Sequence, residues 1–323
     1  MLKSLKPIGR ALIAALGFVY DAYRYLRYSG WRKNLHDTAV RDYHLAKVSH
    51  ALEKSMAYYP RNPDSGWSNA LELTQIIEES CGKDVDTFQR KVSMMVLREF
   101  VELPENRDQQ VGKSILSRLE KVIMPDTRMH GTRSLTKEDL RRGVMTDPER
   151  FFLSRASIRD YSDEVPSRDI IERGVSLAMG APSACNRQPW SVYYTLNPEA
   201  RDSALKFQSG NRGFGHLIPC LMVVAVDQRA FMPGQERYQH WIDGGMFAMS
   251  LIYAFHSLGL VTCALNWSQS PRADFGFRKA FNIANEDSII MMLGVGFPKI
   301  HSLSCASERR PMSQTLRKLK RRD

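Results

Sequence analysis

Arg155-Ala156-Ser157-Ile158-Arg159 and, further on, Ala181-Pro182-Ser183-Ala184-Cys185-Asn186-Arg187-Gln188-Pro189-Trp190 are the two stretches on which the reading of this chain turns. The first sets two cations and a hydroxyl close together, a combination that suits a phosphate group. The second is a polar, Pro-punctuated loop ahead of an apolar run, so its amides are free to face a ligand rather than a core.

Outward from these stretches the C-terminal half alternates strand and helix. Asp147-Pro148 opens a short helix with Pro at its first position, and Phe151 and Phe152 lead from it into Arg155. Ser167 caps a helix to Met179, ended by Gly180 and Pro182. Strands are expected at 191–196, 220–226, 260–265 and 288–295, the second and fourth as apolar as a buried strand requires. Helices are expected at 199–207, 243–258 and 272–281. This alternation points to a layered core of sheet and helix.

Residues 1 to about 145 read as almost wholly helical. Asp37 caps a helix to Tyr58, Ser68 caps one to about Cys81 with Gly82 behind it, Asp84 opens one to Leu103, and another runs from Asp108 to Ile123. Thr136 with Asp139 three positions on gives a weak capping box. His36, His44 and His50 are not spaced to share a helix face, which argues against a metal site among them.

Charge is concentrated at the ends. Residues 1–33 hold seven Lys/Arg against Asp21 and residues 309–323 hold seven against Asp323, so of the net +11 the body between carries only −1. Solvated basic termini are the plain reading, and no zinc-finger, RNP-like or zipper pattern supports nucleic-acid binding. Five scattered cysteines without a Cys-x-x-Cys pair argue for a reducing compartment and against a structural zinc. Cys185 reads as a small filler, not an activated thiol. The apolar run 11–20 is too short to span a bilayer. Leu5, Ile8, Leu12, Leu16, Val19, Tyr23 and Leu26 fall at helical spacing, giving an amphipathic helix expected to dock on a protein surface, with weak membrane-surface contact through residues 1–28 as the alternative.

Four anchors in order resemble the FMN-dependent nitroreductase family over about residues 150–315. They are Arg155-x-Ser157-x-Arg159, Ala181-Pro182-Ser183 with Asn186-x-Gln188-Pro189-Trp190, Leu258-Gly259-Leu260 with its following strand, and Gly294-x-Gly296-Phe297-Pro298 followed by Arg309-Arg310-Pro311. The resemblance implies an α+β fold: a nitroreductase-like three-layer core with a central, mainly antiparallel sheet flanked by helices, which here follows the all-helical N-terminal stretch. It implies an FMN-binding domain at 146–315; the helical extension at 1–145, of unassigned role, and the basic tail at 316–323 lie outside it and are read from the residues.

By the same resemblance Arg155, Arg159 and one of Arg309 or Arg310 meet the flavin phosphate. Ser157 donates to phosphate or ribityl oxygen, and Pro182, Ser183, Asn186 and Gln188 line the flavin. The loop Asn266-Trp267-Ser268 passes its backbone by the reactive ring edge, and Gly296 belongs to the cofactor-binding set. The acidic-glycine pattern of some members is missing from that loop, which leaves its N5 donor open. Trp190 reads as a core residue beneath the loop. No catalytic side chain and no metal are required, because the flavin carries the chemistry. Phe214, Tyr238 and Trp241 are candidates for a substrate lid, with dimer packing as the other reading; His216 reads as structural.

The implied activity is ping-pong hydride transfer from NAD(P)H through FMN to an electron-poor small molecule, a nitroaromatic or quinone. Expected with it are a homodimer whose flavin sites lie at the interface and a cytoplasmic location, with a peripheral position at the membrane as the alternative. Two alternatives are a specialised flavin-dependent tailoring dehydrogenase in a biosynthetic pathway, and a non-catalytic partner- or membrane-associated protein that keeps the fold.

Overall fold

The computed structural model describes residues 2–31, 33–80, 87–119 and 131–321, with backbone alone for residues 2–10. The N-terminal helices are α1 (Leu2–Tyr28), α2 (Thr38–Ala57), α3 (Trp67–Glu79), α4 (Phe88–Glu102), α5 (Gln110–Leu119) and α6 (Lys137–Arg141). Then come α7 (Pro148–Ser154), α8 (Arg168–Ala178), β1 (Trp190–Thr195), α9 (Pro198–Leu205), β2 (Cys220–Asp227), α10 (Gln239–Ser257), β3 (Val261–Asn266), α11 (Pro271–Ala280), β4 (Asp287–Gly296) and the short α12 (Met312–Thr315).

The sheet has the order β1-β2-β4-β3 and every pair of neighbours is antiparallel. Alternation along β2 shows why it is apolar throughout. Cys220, Met222 and Val224 face one hydrophobic cluster with Phe247, Leu251 and Phe255 of α10 and Ile171 of α8. Leu221 and Val223 face another with Leu205 of α9 and Phe277 of α11. Both faces are covered, so this half is an α+β three-layer core. Close approach of α8 to α10 depends on Gly174, where a Cβ would stand 2.4 Å from the Phe255 ring.

A separate core joins α2 to α5 through Leu45, Leu52, Ile77, Leu97, Phe100 and Ile115. The caps follow the residue types for the most part. Asp37 accepts from the amides of Ala39 and Val40, and Thr136 and Asp139 form a reciprocal capping box. The start of α3 differs from expectation: Gly66, at φ 95°, precedes the helix, and Ser68 lies inside it. A Cβ at Gly66 would meet Phe100 and Ser55 at 2.7 Å, so the packing of other helices sets this start. The expected features at Cys81, Gly82 and Asp84, and the helix end at 120–123, lie outside the described residues. For α4 the structure shows Thr87 as the cap, accepting from the Arg90 amide.

The two halves meet along polar contacts. Tyr43 of α2 donates to Asp227 at 3.1 Å, and the Gly30 amide donates to Phe231 O at 2.8 Å. Arg229, held by Asp227 at 2.8 Å and Glu286 at 2.9 Å in its own half, reaches Asp37 ahead of α2 at 3.7 Å.

Candidate functional site

Helix α7 delivers the first stretch to the sheet. Phe151 and Phe152 pack on Tyr253 of α10, and His256 Nε2 lies 3.0 Å from both Phe151 O and Ser154 Oγ. The chain leaving α7 lies beside β3, where Ser157 bridges Thr262 in parallel and the Ile158 amide donates to Thr262 O at 3.1 Å. Arg155 and Ser157 are half-buried there, and Arg159 is exposed. The Arg159 guanidinium lies 5.8 Å from the Phe214 ring centre, and its Nη1 is 3.9 Å from Cys305 Sγ, which brings the C-terminal arm to this edge. Burial raises the Cys263 thiol, against the pull of Arg159 beside it.

Neither Arg155 nor Arg159 is paired with a carboxylate among the described residues. The arginines that build the core are all engaged: Arg187 with Glu236, Arg278 with Asp274, Arg229 with Asp227, and Arg24 with two carbonyls. Uncompensated guanidinium groups beside a half-buried hydroxyl suit an anionic ligand with phosphate geometry.

The second stretch is a strained loop. Cys185, Asn186 and Gln188 have φ of 52°, 50° and 49°, a left-handed conformation that costs a non-glycine residue about 1–2 kcal/mol. Three residues other than glycine hold it within four positions, and the surroundings enforce it. Arg187, whose side chain is 1% exposed, donates to Glu236 at 2.8 and 3.0 Å, to Ala184 O and to Ala230 O. Buried Asp243 of α10 accepts the Ala184 amide at 3.0 Å, and Ser183 Oγ accepts the Gln188 amide at 3.0 Å. Burial alone would raise the Glu236 carboxyl, but the Arg187 hydrogen bonds and the Met232 amide hold it below its ordinary range. Pro182 and Asn186 are left exposed on the loop surface, with Gln188 partly so.

The two stretches do not meet within one protomer. The loop runs into β1 at one sheet edge, and Arg155–Arg159 lies on β3 at the other. Trp190 pairs with Val226, which pairs with Ser288, whereas Thr262 pairs with Val295. Strand spacing and rise then put Trp190 and Thr262 on the order of 25 Å apart. Asn266 and Ser268, both exposed, share the β3 side with Arg155. Arg309 and Arg310 are exposed on the arm, Arg309 donating to Ser307 O at 2.7 Å.

Three of the expected site residues have buried positions. Phe214 is buried among Leu205, Ile218 and Phe277, with the Arg159 guanidinium over its ring, a core position and not an open loop one. Gly296 is buried, and a Cβ there would meet Pro219 at 2.5 Å and Tyr161 at 2.7 Å, so packing alone calls for glycine. The Trp267 indole is buried against Phe277 with its N–H on Asp274 at 2.8 Å, leaving only its backbone to the loop. Tyr238 and Trp241 are exposed around the start of α10. Trp190 stacks on Phe247 at 4.7 Å, as a core residue beneath the loop.

Sequence reasoning missed Arg187, Glu236 and Asp243, which carry the loop. The Arg187–Glu236 pair spans 49 positions, so no local spacing signals it. A carboxylate inside an otherwise apolar helix was the available signal at Asp243.

Residues 153–211 and 201–297 match the sequence model of the Nitroreductase family. The match lies within the C-terminal half, which is therefore similar to that family, and α1 to α6 lie outside the matched residues. A protein of Archaeoglobus fulgidus provisionally named NADH dehydrogenase/NAD(P)H nitroreductase is 28% identical over 150 residues, covering 45% of this chain and 82% of that one. Among solved structures, NfrA2 of B. megaterium aligns at 19% identity and a TM-score of 0.47, over 55% of this chain and 76% of its own. A candidate nitroreductase from Desulfovibrio desulfuricans, in complex with FMN, aligns at 19% identity and a TM-score of 0.46, over 54% and 96%.

Proposed function

We propose that the protein is an FMN-dependent oxidoreductase that takes reducing equivalents from NAD(P)H and delivers them to an electron-poor small molecule such as a nitroaromatic or quinone. In this reading residues 146–315 form the flavin domain, residues 1–145 an extension packed against it, and the working unit is a homodimer in the cytoplasm.

One observation supports the reading: two arginines without carboxylate partners among the described residues and a strained, partly exposed loop stand at opposite edges of one sheet. Each edge of a first copy completes its counterpart on a second, so that two sites arise from two chains. Arg155 and Arg159 would hold the phosphate of FMN, joined by Arg309 or Arg310 from the arm. Ser157 would donate to phosphate or ribityl oxygen, and the backbone of Asn266–Ser268 would face the ring edge. The partner copy's loop would supply its Pro182, Ser183, Asn186 and Gln188 surface. The arm supports a second chain independently, since Ile300 and Leu303 are 96% and 95% exposed and have no cover in one protomer.

Bound flavin would supply the two-electron chemistry, so the protein's task is to orient and to exclude water. The arginines would bind the anionic end, and the loop, held rigid by Arg187 and Asp243, would help to orient the group. The protein as purified should be yellow, and anaerobic NADH or NADPH should bleach it. Arg155→Ala should weaken FMN binding about ten- to hundredfold, the loss of one charge-assisted hydrogen-bonding group, without unfolding the chain. A colourless protein that takes up no added FMN would end this reading.

A further inference from the structure

Helix α1 turns its polar side to its own protein. Tyr20 donates to Asp274 at 2.7 Å, Arg24 to the carbonyls of Asn285 and Asp287 at 2.8 Å each, and Tyr25 to Met232 O at 3.1 Å. The apolar stripe of the same helix points away. Leu12, Leu16, Val19, Tyr23 and Leu26, spaced four, three, four and three apart, lie along one face and are each 60–67% exposed. An amphipathic helix serving its own core would be docked the other way round. The exposed stripe runs about 21 Å at 1.5 Å per residue.

Beside it is a groove of about 550 Å³ between α1 and the start of α11, walled by Ile13, Leu16, Val19, Tyr23 and Pro271, with Arg272 at its rim. Helix α11 continues this surface. Arg272, Phe275 and Lys279 stand on one side of it and are exposed, with Lys279 Nζ 4.6 Å from the Phe275 ring centre. The sequence of α1 adds Lys3, Lys6, Arg10 and Arg27 against the single acid Asp21.

We infer that this face, the α1 stripe with the α11 side of the groove, seats on an anionic lipid surface. Apolar side chains enter the acyl boundary and the basic residues meet the phosphate headgroups. Charge decides the occupant. A second copy placed stripe to stripe would bring two strongly basic helices together, which like-charge repulsion opposes. A lipid phosphate layer is attracted by the same charges. Among the described residues no helix is long and apolar enough to cross a membrane, so the helix lies on the surface and does not span it. The inference stands apart from the flavin reading, since none of its residues belongs to either sheet edge.

The test uses the full chain in flotation with vesicles of phosphatidylcholine alone or mixed with phosphatidylglycerol. The protein should float with the mixed vesicles and bind pure phosphatidylcholine at least about tenfold less, with salt abolishing the difference. Leu16→Glu with Val19→Glu should lower binding to mixed vesicles by about tenfold or more, since two apolar anchors are lost. Its circular dichroism and its mass by light scattering should match the parent protein. Arg272→Glu with Lys279→Glu should weaken binding to mixed vesicles alone. Absence of flotation with either vesicle would overturn the inference. So would unchanged binding by the α1 variant, or a halved mass for it, which would assign the stripe to a second copy.

Discussion

Replacing Arg187 with Met keeps the volume of the side chain and removes its charge and donors. The guanidinium makes two bonds to Glu236 and one each to Ala184 O and Ala230 O, and it lies 5.2 Å from the Phe231 ring centre. Breaking one partner of a buried pair costs about 3–5 kcal/mol, because the other charge is left uncompensated. Glu236 keeps the Met232 amide at 2.7 Å and is 24% exposed, which places the expected loss near the lower end, about 3 kcal/mol. The measurement is the shift in the urea midpoint followed by tryptophan fluorescence, for Arg187→Met, Glu236→Gln and the double variant. The double variant should lose less than the sum of the singles by at least about 1 kcal/mol. Loss of the tie also frees three residues from left-handed backbone, so flavin content should fall even at a temperature where the variant stays folded. A stability loss under about 1 kcal/mol with strictly additive singles would refute the claim that this pair holds the loop.

Gly296→Ala should destabilise by about 1–3 kcal/mol, since its Cβ would stand 2.5 Å from Pro219, while FMN affinity of the folded protein stays unchanged. Calorimetry and a flavin titration check the two halves of that statement, and a stable variant with weakened FMN would restore Gly296 to the site. His240 is held at a pKa of about 4 by burial and by nearby Arg24, below the ordinary 6.5. With the folded value depressed, its contribution to stability is present above pH 6.5 and lost as pH falls toward 4, by roughly 3 kcal/mol at most. Asp287 acts in the opposite direction: burial raises it to about 6, so its contribution is complete below its ordinary 3.8 and lost as pH rises through 6. His240→Phe should therefore gain stability relative to the parent as pH drops from 6.5 to 4, and a urea midpoint difference independent of pH would contradict the assignment.

Much of the C-terminal core was legible because its signals are local. The run Cys220 to Val226 could only be a strand covered on both faces, and the caps at Asp37, Thr136 and Ser167 name themselves through short polar side chains. The residues of the proposed phosphate grip were readable as types, arginine and serine in close succession. Their arrangement was not, because strand order decides which edge each stretch occupies, and order depends on pairings between positions far apart in the chain. Phe214 looked like a loop aromatic flanked by glycines, yet tertiary packing drew it into the lower core. The apolar stripe of α1 was visible by period; its outward direction was not, since the hydrogen bonds of Tyr20, Arg24 and Tyr25 link residues more than 200 positions apart.

The central claim is that one flavin site needs the β3 edge of one chain and the β1 loop of another. Two differently tagged copies, one Arg155→Ala and the other Asn186→Ala with Gln188→Ala, each expressed alone, should hold little FMN. Purified through both tags as a heterodimer, they should hold one FMN per dimer, because one site collects both sets of substitutions and the other collects neither. A heterodimer as empty as the two parents would contradict the account.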